Sequence, residues 1–420
     1  MIEAFTTYTA SDGEIYDSPE FGAVGCSAHH FVLPSEKELI PLPEGSKFFT
    51  MPDHLPYGVE KDSEIICPVD NGNEGLTAVA AFLPPGYTRL LLPAAQYRTG
   101  NRILPLWAYT ALFWKDNNFW VPAVKIDDNS KWDPGKYDDS DLDDLIVDKA
   151  ERLKDNRLVQ QLSICAKEYH CFAAKNFFME RWEAPAPTSP VCNANCIGCI
   201  SFQPGGECPA SMDRLKFIPT PTEIAEVAID HFRNADDPLI SFGQGCEGEP
   251  LMQFGVIERA IKKIKGQGPV GTVNMNTNAS KPIFVKRLCD AGLDSIRITL
   301  NSAREKIYNL YHRPEDYSFN DVVNSIKTAS DDGLFVTLNL LVFPGITDQQ
   351  EEIDTLIPLL KDTGVNLIQM KNLNIDSAYY LDAVGYPAKP GTGILQMMDV
   401  IKHEIPAMRF GYFNRARSDF

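Results

Sequence analysis

The sequence predicts an α/β protein, a partial (β/α)6-like barrel preceded by a β-rich N-terminal accessory domain. Three observations carry this expectation. From residue 186 onward short apolar runs alternate with helical patterns, the residues before 126 are rich in proline, glycine and aromatics, and polar or glycine-rich segments follow each apolar run in the second part. Repeated strand–helix units demand a largely parallel sheet, open or curled. With 420 residues, 44% of them hydrophobic, the chain can bury more than one core. The expected division is an accessory domain over 1–126, an acidic linker and helical connection over 127–185, the barrel core over 186–376, and an extension over 377–420 that completes it.

In the accessory domain, AVAAFLPPGYTRLLLP (78–93) offers two apolar runs split by Pro-Pro-Gly, while LWAYTALFW and FWVPAVKI flank Lys115-Asp116-Asn117-Asn118, a hairpin connection. The aromatics Trp107, Tyr109, Phe113, Trp114, Phe119 and Trp120 either line a binding surface or pack the domain's own core, and packing is the expectation. His29-His30 has no ligand-rich segment beside it and reads as a surface or capping pair. The acidic stretch from Asp127 to Asp144 reads as linker. A long helical pattern over roughly 142–180 follows, with Cys165 and Cys171 as buried structural thiols.

The barrel strands are expected at PLISFG (238–243), VGTVNMNTN (270–278), SIRITLN (295–301), FVTLNLLVFPG (335–345) and LIQMKNLNI (367–375), with MRFGYFN (408–414) closing the sheet near its edge. Thr220 with Glu223, Ser318 with Asp321, and Thr347 with Gln350 have the spacing of helix-capping boxes. The segments GQGCEGEP, NTNAS, LNSAR, FPGITD and NLNID all fall at carboxyl ends of strands, the edge where parallel α/β sheets bind ligands. Five in succession point to one cavity.

A net charge of -18 opposes binding along phosphate backbones, so nucleic acid is an unlikely partner. The start has no basic segment followed by an apolar core, and no run of 18 apolar residues occurs, which predicts a cytoplasmic, non-membrane chain. Ten cysteines are too dilute for a small disulfide scaffold and fit a reducing compartment.

The tight cluster is VCNANCIGCI (191–200), a C-x3-C-x2-C run of Cys192, Cys196 and Cys199. A compact loop can turn three thiolates onto three irons of a cubane, whereas zinc needs a fourth ligand, for which Cys208 is the candidate. Structural thiols are the third alternative. A thioredoxin-like pair leaves Cys192 without a role.

This run resembles the signature of the radical S-adenosylmethionine superfamily. The resemblance spans roughly 186–376 and implies a [4Fe–4S] cluster held by Cys192, Cys196 and Cys199, with S-adenosylmethionine on the fourth iron. Reduction would then release a 5′-deoxyadenosyl radical that takes hydrogen from a small-molecule or peptide substrate. It also implies a flavodoxin- or ferredoxin-type electron donor and sensitivity to oxygen. Gly248-Glu249-Pro250 resembles the end of the family's Gly-Gly-Glu-Pro motif, which places Glu249 at the methionyl ammonium; Glu247 stands where the first glycine would be. Asn276, Asn278, Thr299, Asn301 and Asn339 resemble the family's positions for ribose and methionyl contacts, and Gly345 its adenine-side glycine; Arg297, a strand arginine, either contacts the cofactor's carboxylate or pairs with a surface acid. Gly198 replaces the usual aromatic residue before the last cysteine, with Ile197 or Phe202 as substitutes. Cys246, in the same loop as Glu249, is a candidate hydrogen donor or substrate thiol, or simply a small buried residue. Lys371, Asn372, Asn374 and Asp376 end the sixth strand and are candidates to face substrate, while Tyr379 and Tyr380, at the start of the next helix, either face substrate or pack. A zinc-stabilised binding protein and a catalytically idle iron–sulfur scaffold are the competing readings.

Overall fold

The computed structural model describes residues 3–69, 75–98, 103–128, 138–206, 208–267 and 271–420. Seven parallel strands form the barrel sheet in chain order: β1 (Glu183–Pro185), β2 (Leu239–Phe242), β3 (Thr272–Thr277), β4 (Ser295–Leu300), β5 (Phe335–Val342), β6 (Leu367–Asn372) and β7 (Arg409–Gly411). All five expected strands are present, and the 408–414 run pairs with β6 as the last strand. Val270, the first residue of the expected third strand, lies outside the described residues. The first strand, β1, lies just ahead of the cysteine loop.

A parallel sheet covered on both faces usually reads as continuous apolar sequence. Here the strands alternate instead. Val273, Met275, Ile296, Ile298, Val336, Leu338, Ile368 and Met370 belong to the large core shared with the helices. Their neighbours Asn274, Asn276, Arg297, Thr299, Asn339, Gln369 and Lys371 take the other face, because successive side chains point oppositely. That face is curled inward and linked across the opening. Asn414, just past β7, accepts from Gln369 Nε2 (3.0 Å) and donates to Glu183 Oε1 on β1 (2.7 Å). No strand pairing joins β1 to β7 among the described residues, so the barrel is partial.

The capping boxes form at Thr220/Glu223 and Ser318/Asp321. The third does not: Gln349 is the N-cap of Gln350–Thr363, and Thr347 Oγ1 accepts instead from the Phe343 amide (2.9 Å). The long helical pattern before the barrel is three helices, Leu142–Arg152, Arg157–Lys167 and Phe172–Phe178. Asp155 (φ 65°) and His170 (φ 50°) interrupt it, a conformation a continuing helix cannot contain. Residues 129–137 of the acidic stretch lie outside the described residues.

The N-terminal part is antiparallel β structure from Phe5 to Lys125. Phe113–Lys115 and Asn118–Lys125 form the expected hairpin, with Asp116 and Asn117 both left-handed as a type I′ turn requires. Tyr109 and Phe113 are buried in its own cores, as the packing alternative expects. The domain rests on the barrel through backbone-level contacts. Thr88 Oγ1 donates to Met370 O (2.6 Å), Asn372 Nδ2 to Tyr87 O (2.9 Å), and the fully buried Arg89 to Leu373 O (2.8 Å) while its other amino group holds Tyr109 O within its own domain (2.9 Å). No described helix is long and apolar enough to cross a membrane.

Candidate active site

The cysteine loop has little regular structure, so its shape comes from neighbours. The Asn195 amide donates to His312 O (3.0 Å) and the Ile197 amide to Tyr311 O (3.1 Å), which lays the loop on the end of helix Glu305–His312. Gln203 Nε2 donates to Ile197 O and Cys199 O (3.0 and 2.8 Å), and Asn193 bonds Ser280, Asp316 and Asn278.

The loop after β2 ties to this segment from below. Glu247 is buried, and its carboxylate accepts four backbone N–H groups: Thr188 (2.7 Å), Ser189, Gly243 and Gln244 (each 2.8 Å). Burial pushes its pKa up to about 7 against the pull of those donors. The acid in place of the motif's first glycine is therefore the clamp between the two loops. Gly248 donates to Ser189 O (2.7 Å) and Glu249 to Val191 O (2.9 Å). A Cβ on Gly248 would lie 2.0 Å from Val191 O, so only glycine permits this approach.

These contacts bring Cys192, Cys196, Cys199, Gly248 and Glu249 around one cavity of about 310 Å³ at the carboxyl ends of the strands. Asn276, Asn278, Arg297 and Thr299 also line it. Glu249 Oε2 accepts from the Asn278 amide (2.8 Å), and Oε1 from Leu251 N (3.0 Å) and Thr277 Oγ1. Burial holds this carboxyl up at about 7. Of its roughly four lone-pair sites three are taken, leaving an anchored acceptor at the cavity wall. Arg297 donates only weakly to Gln369 Oε1 (3.4 Å) and its Nε has no partner; burial lowers its pKa.

Burial raises the Cys192 thiol to about 11 and Cys196 well above its usual value. A metal must displace these protons to gain thiolates, as metal sites do. Arg214 Nη2 lies 3.4 Å from Cys199 Sγ and His312 Nδ1 3.3 Å from Cys196 Sγ. Burial drives the His312 pKa down to about 3, and its Nε2 has no partner.

The donor set fits a cubane. Each thiolate there takes a different iron, so the sulfurs stand farther apart than ligands of one ion. Cys192, Cys196 and Cys199 line one cavity and offer three thiols for three irons. Cys208 does not join the trio: it is buried under the accessory domain, its thiol 3.7 Å from Leu104 O. The four-cysteine zinc arrangement therefore has no fourth ligand here.

Four sequence-selected residues stand away from the cavity lining. Cys246 lies on the far side of the Gln244–Gly245 turn, in an apolar pocket with Cys165 and Cys171, and Cys165 is its hydrogen-bonding partner. That position removes it as a donor into the cavity. Gly345 (φ 90°) packs against Ser27 and Ala28, where a Cβ would lie 2.1 Å from the Ala28 amide; it is a docking glycine for the accessory domain. Asn301 turns to Tyr380 Oη (3.2 Å), and Asn339 donates to Thr299 Oγ1 (3.0 Å), so it can position Thr299 without lining the cavity. The aromatic missing at Gly198 is supplied by neither Ile197, which is buried elsewhere, nor Phe202, which stacks on Arg214. Tyr311 stands beside Gly198: its hydroxyl lies 2.6 Å from where a Gly198 Cβ would be. Of the sixth-strand candidates, Asn372 and Asn374 line the cavity; Lys371 lies 3.6 Å from the Tyr412 ring centre and Asp376 caps Ser377–Val384.

Residues 186–357 match the model of the Radical SAM superfamily. An uncharacterized protein of Methanocaldococcus jannaschii is 30% identical over 159 residues, 38% of this chain and 47% of that one. A GTP 3',8-cyclase of Petrotoga mobilis is 31% identical over 124 residues, 29% of this chain and 38% of that one. The chain thus spans less than half the length of these relatives. Among solved structures, HydG, a maturase of the [FeFe]-hydrogenase, aligns at 17% identity with a TM-score of 0.40, covering 66% of this chain and 63% of that one. Residues 186–357 of the chain therefore carry a Radical SAM domain.

Proposed function

We propose that Cys192, Cys196 and Cys199 hold the cluster, that Glu249 receives the methionyl ammonium, and that a small-molecule or peptide substrate reaches the cavity beside the accessory domain. The observation that carries this reading is the convergence of three thiols and one anchored carboxylate on a single cavity, fixed by main-chain hydrogen bonds. When bound, the reduced cluster supplies the electron that splits the sulfonium into methionine and a radical able to take hydrogen from an unactivated carbon. The chain's own share is placement. Glu249 orients the amino group, Arg297 offers a cation to a carboxylate, and Asn276, Asn278 and Thr299 present polar contacts along the same wall. Glu247 keeps the two loops in register, and Tyr311 walls the site beside Gly198. Asn372, which lines the cavity and holds the accessory domain through Tyr87, connects substrate access to that domain.

A flavodoxin- or ferredoxin-type protein is the electron source in this reading. Anaerobic reconstitution followed by dithionite and S-adenosylmethionine should yield 5′-deoxyadenosine and methionine. An iron-loaded protein that leaves the cofactor intact under strong reduction would be an idle scaffold and would refute the reading.

A further inference from the structure

A second cavity, of about 290 Å³, lies between the accessory domain and the helix after β6. Six residues with aromatic rings, His29, Phe31, His54, Tyr97, Tyr109 and Tyr386, stand among its lining. The rings of His54 and Tyr97 are 3.9 Å apart between centres, Tyr386 stands edge-on to His29 at 5.2 Å, and Phe31 stacks on Tyr57 at 4.9 Å. Among the described residues that line it, Asp376 is the only Asp, Glu, Lys or Arg, and it is 2% exposed. No lysine or arginine among the described residues is ion-paired with it. Its carboxylate is held by Tyr97 Oη (2.9 Å) and the Leu104 amide (3.0 Å) on Oδ2, and by the Tyr379 amide (2.9 Å) on Oδ1. Those three bonds leave one acceptor position on Oδ1. Burial lowers the pKa of His54, and burial with the neighbouring His30 lowers that of His29, so both imidazoles are neutral near pH 7. An aromatic enclosure around one uncompensated carboxylate is complementary to a cation. The ring faces attract positive charge, and the carboxylate selects it over a neutral group of the same shape.

We propose that this cavity binds an organic monocation, an alkylammonium or guanidinium group, seated among the rings of Phe31, His54, Tyr97 and Tyr386 with its charge toward Asp376. The site stands independently of the iron–sulfur reading, because it is built from other residues and needs no cluster.

The test titrates the purified full chain with N-acetyl-lysine methylamide, with the neutral N-acetyl-norleucine methylamide, with n-butylamine, and with a Gly-Gly-Lys-Gly-Gly peptide, followed by calorimetry or ligand-observed magnetic resonance. The lysine compound should bind and its neutral counterpart should not. Asp376→Asn should weaken it about tenfold or more, and Ala378→Leu, which fills the cavity without touching the cap, should do the same. Glu249→Gln should leave cation binding unchanged while altering S-adenosylmethionine binding. Preference for the peptide assigns the site to a basic side chain of a polypeptide, and preference for n-butylamine assigns it to a small amine. Equal binding of the neutral compound, undiminished binding in both cavity variants, or no binding at millimolar concentration overturns the proposal.

Discussion

The two walls of the main cavity are built differently. On the cysteine side nearly every polar group is committed: Glu247 holds four amides, Glu249 is fixed by three donors, and Gly248 lies directly on the Val191 carbonyl. Across the cavity, Arg297 has an unpartnered Nε. Buried polar groups without partners cost stability, and proteins keep them where a ligand will supply the missing bonds. The difference separates a wall assembled in advance from a wall that waits for its occupant. His312, with its free Nε2, is the exception on the assembled side.

Substitutions on the two walls should therefore behave differently. The largest effect is expected from Cys192→Ser, Cys196→Ser or Cys199→Ser, each of which should abolish cluster loading and 5′-deoxyadenosine formation, while Cys208→Ser keeps both; iron and sulfide analysis after reconstitution reads this. Loss of iron in Cys208→Ser would place a fourth ligand where the geometry has none. Next comes Gly248→Ala. Its methyl would meet a backbone carbonyl, so the apo chain should lose about 3 kcal/mol in urea unfolding, and a change near zero would mean the two loops are not locked together.

Glu249→Gln should retain its iron but bind S-adenosylmethionine about tenfold to a hundredfold more weakly, the range for losing a hydrogen bond to a charged group; unchanged affinity would remove Glu249 from the cofactor site. The smallest effect tests the waiting wall. Arg297→Met replaces a poorly paired cation by an apolar side chain, so the apo chain should become about 1 kcal/mol more stable while ligand affinity falls. A destabilised variant would show that Arg297 serves the fold instead.

Much of the barrel was legible because its strands carry two patterns at once. Runs such as VNMNTN and SIRITL alternate apolar and polar residues, which gives both the strand and its polar inner face. The cysteine spacing and Gly-Glu-Pro turn were local signals for the same reason: their chemistry lies within a few residues. Tyr311 and His312 carried no such signal, since they reach the site only because a helix end packs under the cysteine loop. Glu247 was visible as a departure from a motif, but its role depends on amides from two separate segments. Gly345 looked like a ligand-side turn, and only the arrival of the Ser27–Ala28 turn reveals its use. Cys246 follows its buried-residue alternative: although next to Glu247 in sequence, it lies on the opposite face of a tight turn. Likewise the 142–180 pattern kept a helical period across two breaks that Asp155 and His170 make with left-handed backbone.

The most direct measurement is electron paramagnetic resonance of the reduced, reconstituted protein with and without S-adenosylmethionine. With three cysteines on the cluster and one iron left open beside Glu249, adding the nucleotide should change the line shape. An identical spectrum at saturating nucleotide would contradict an open coordination site.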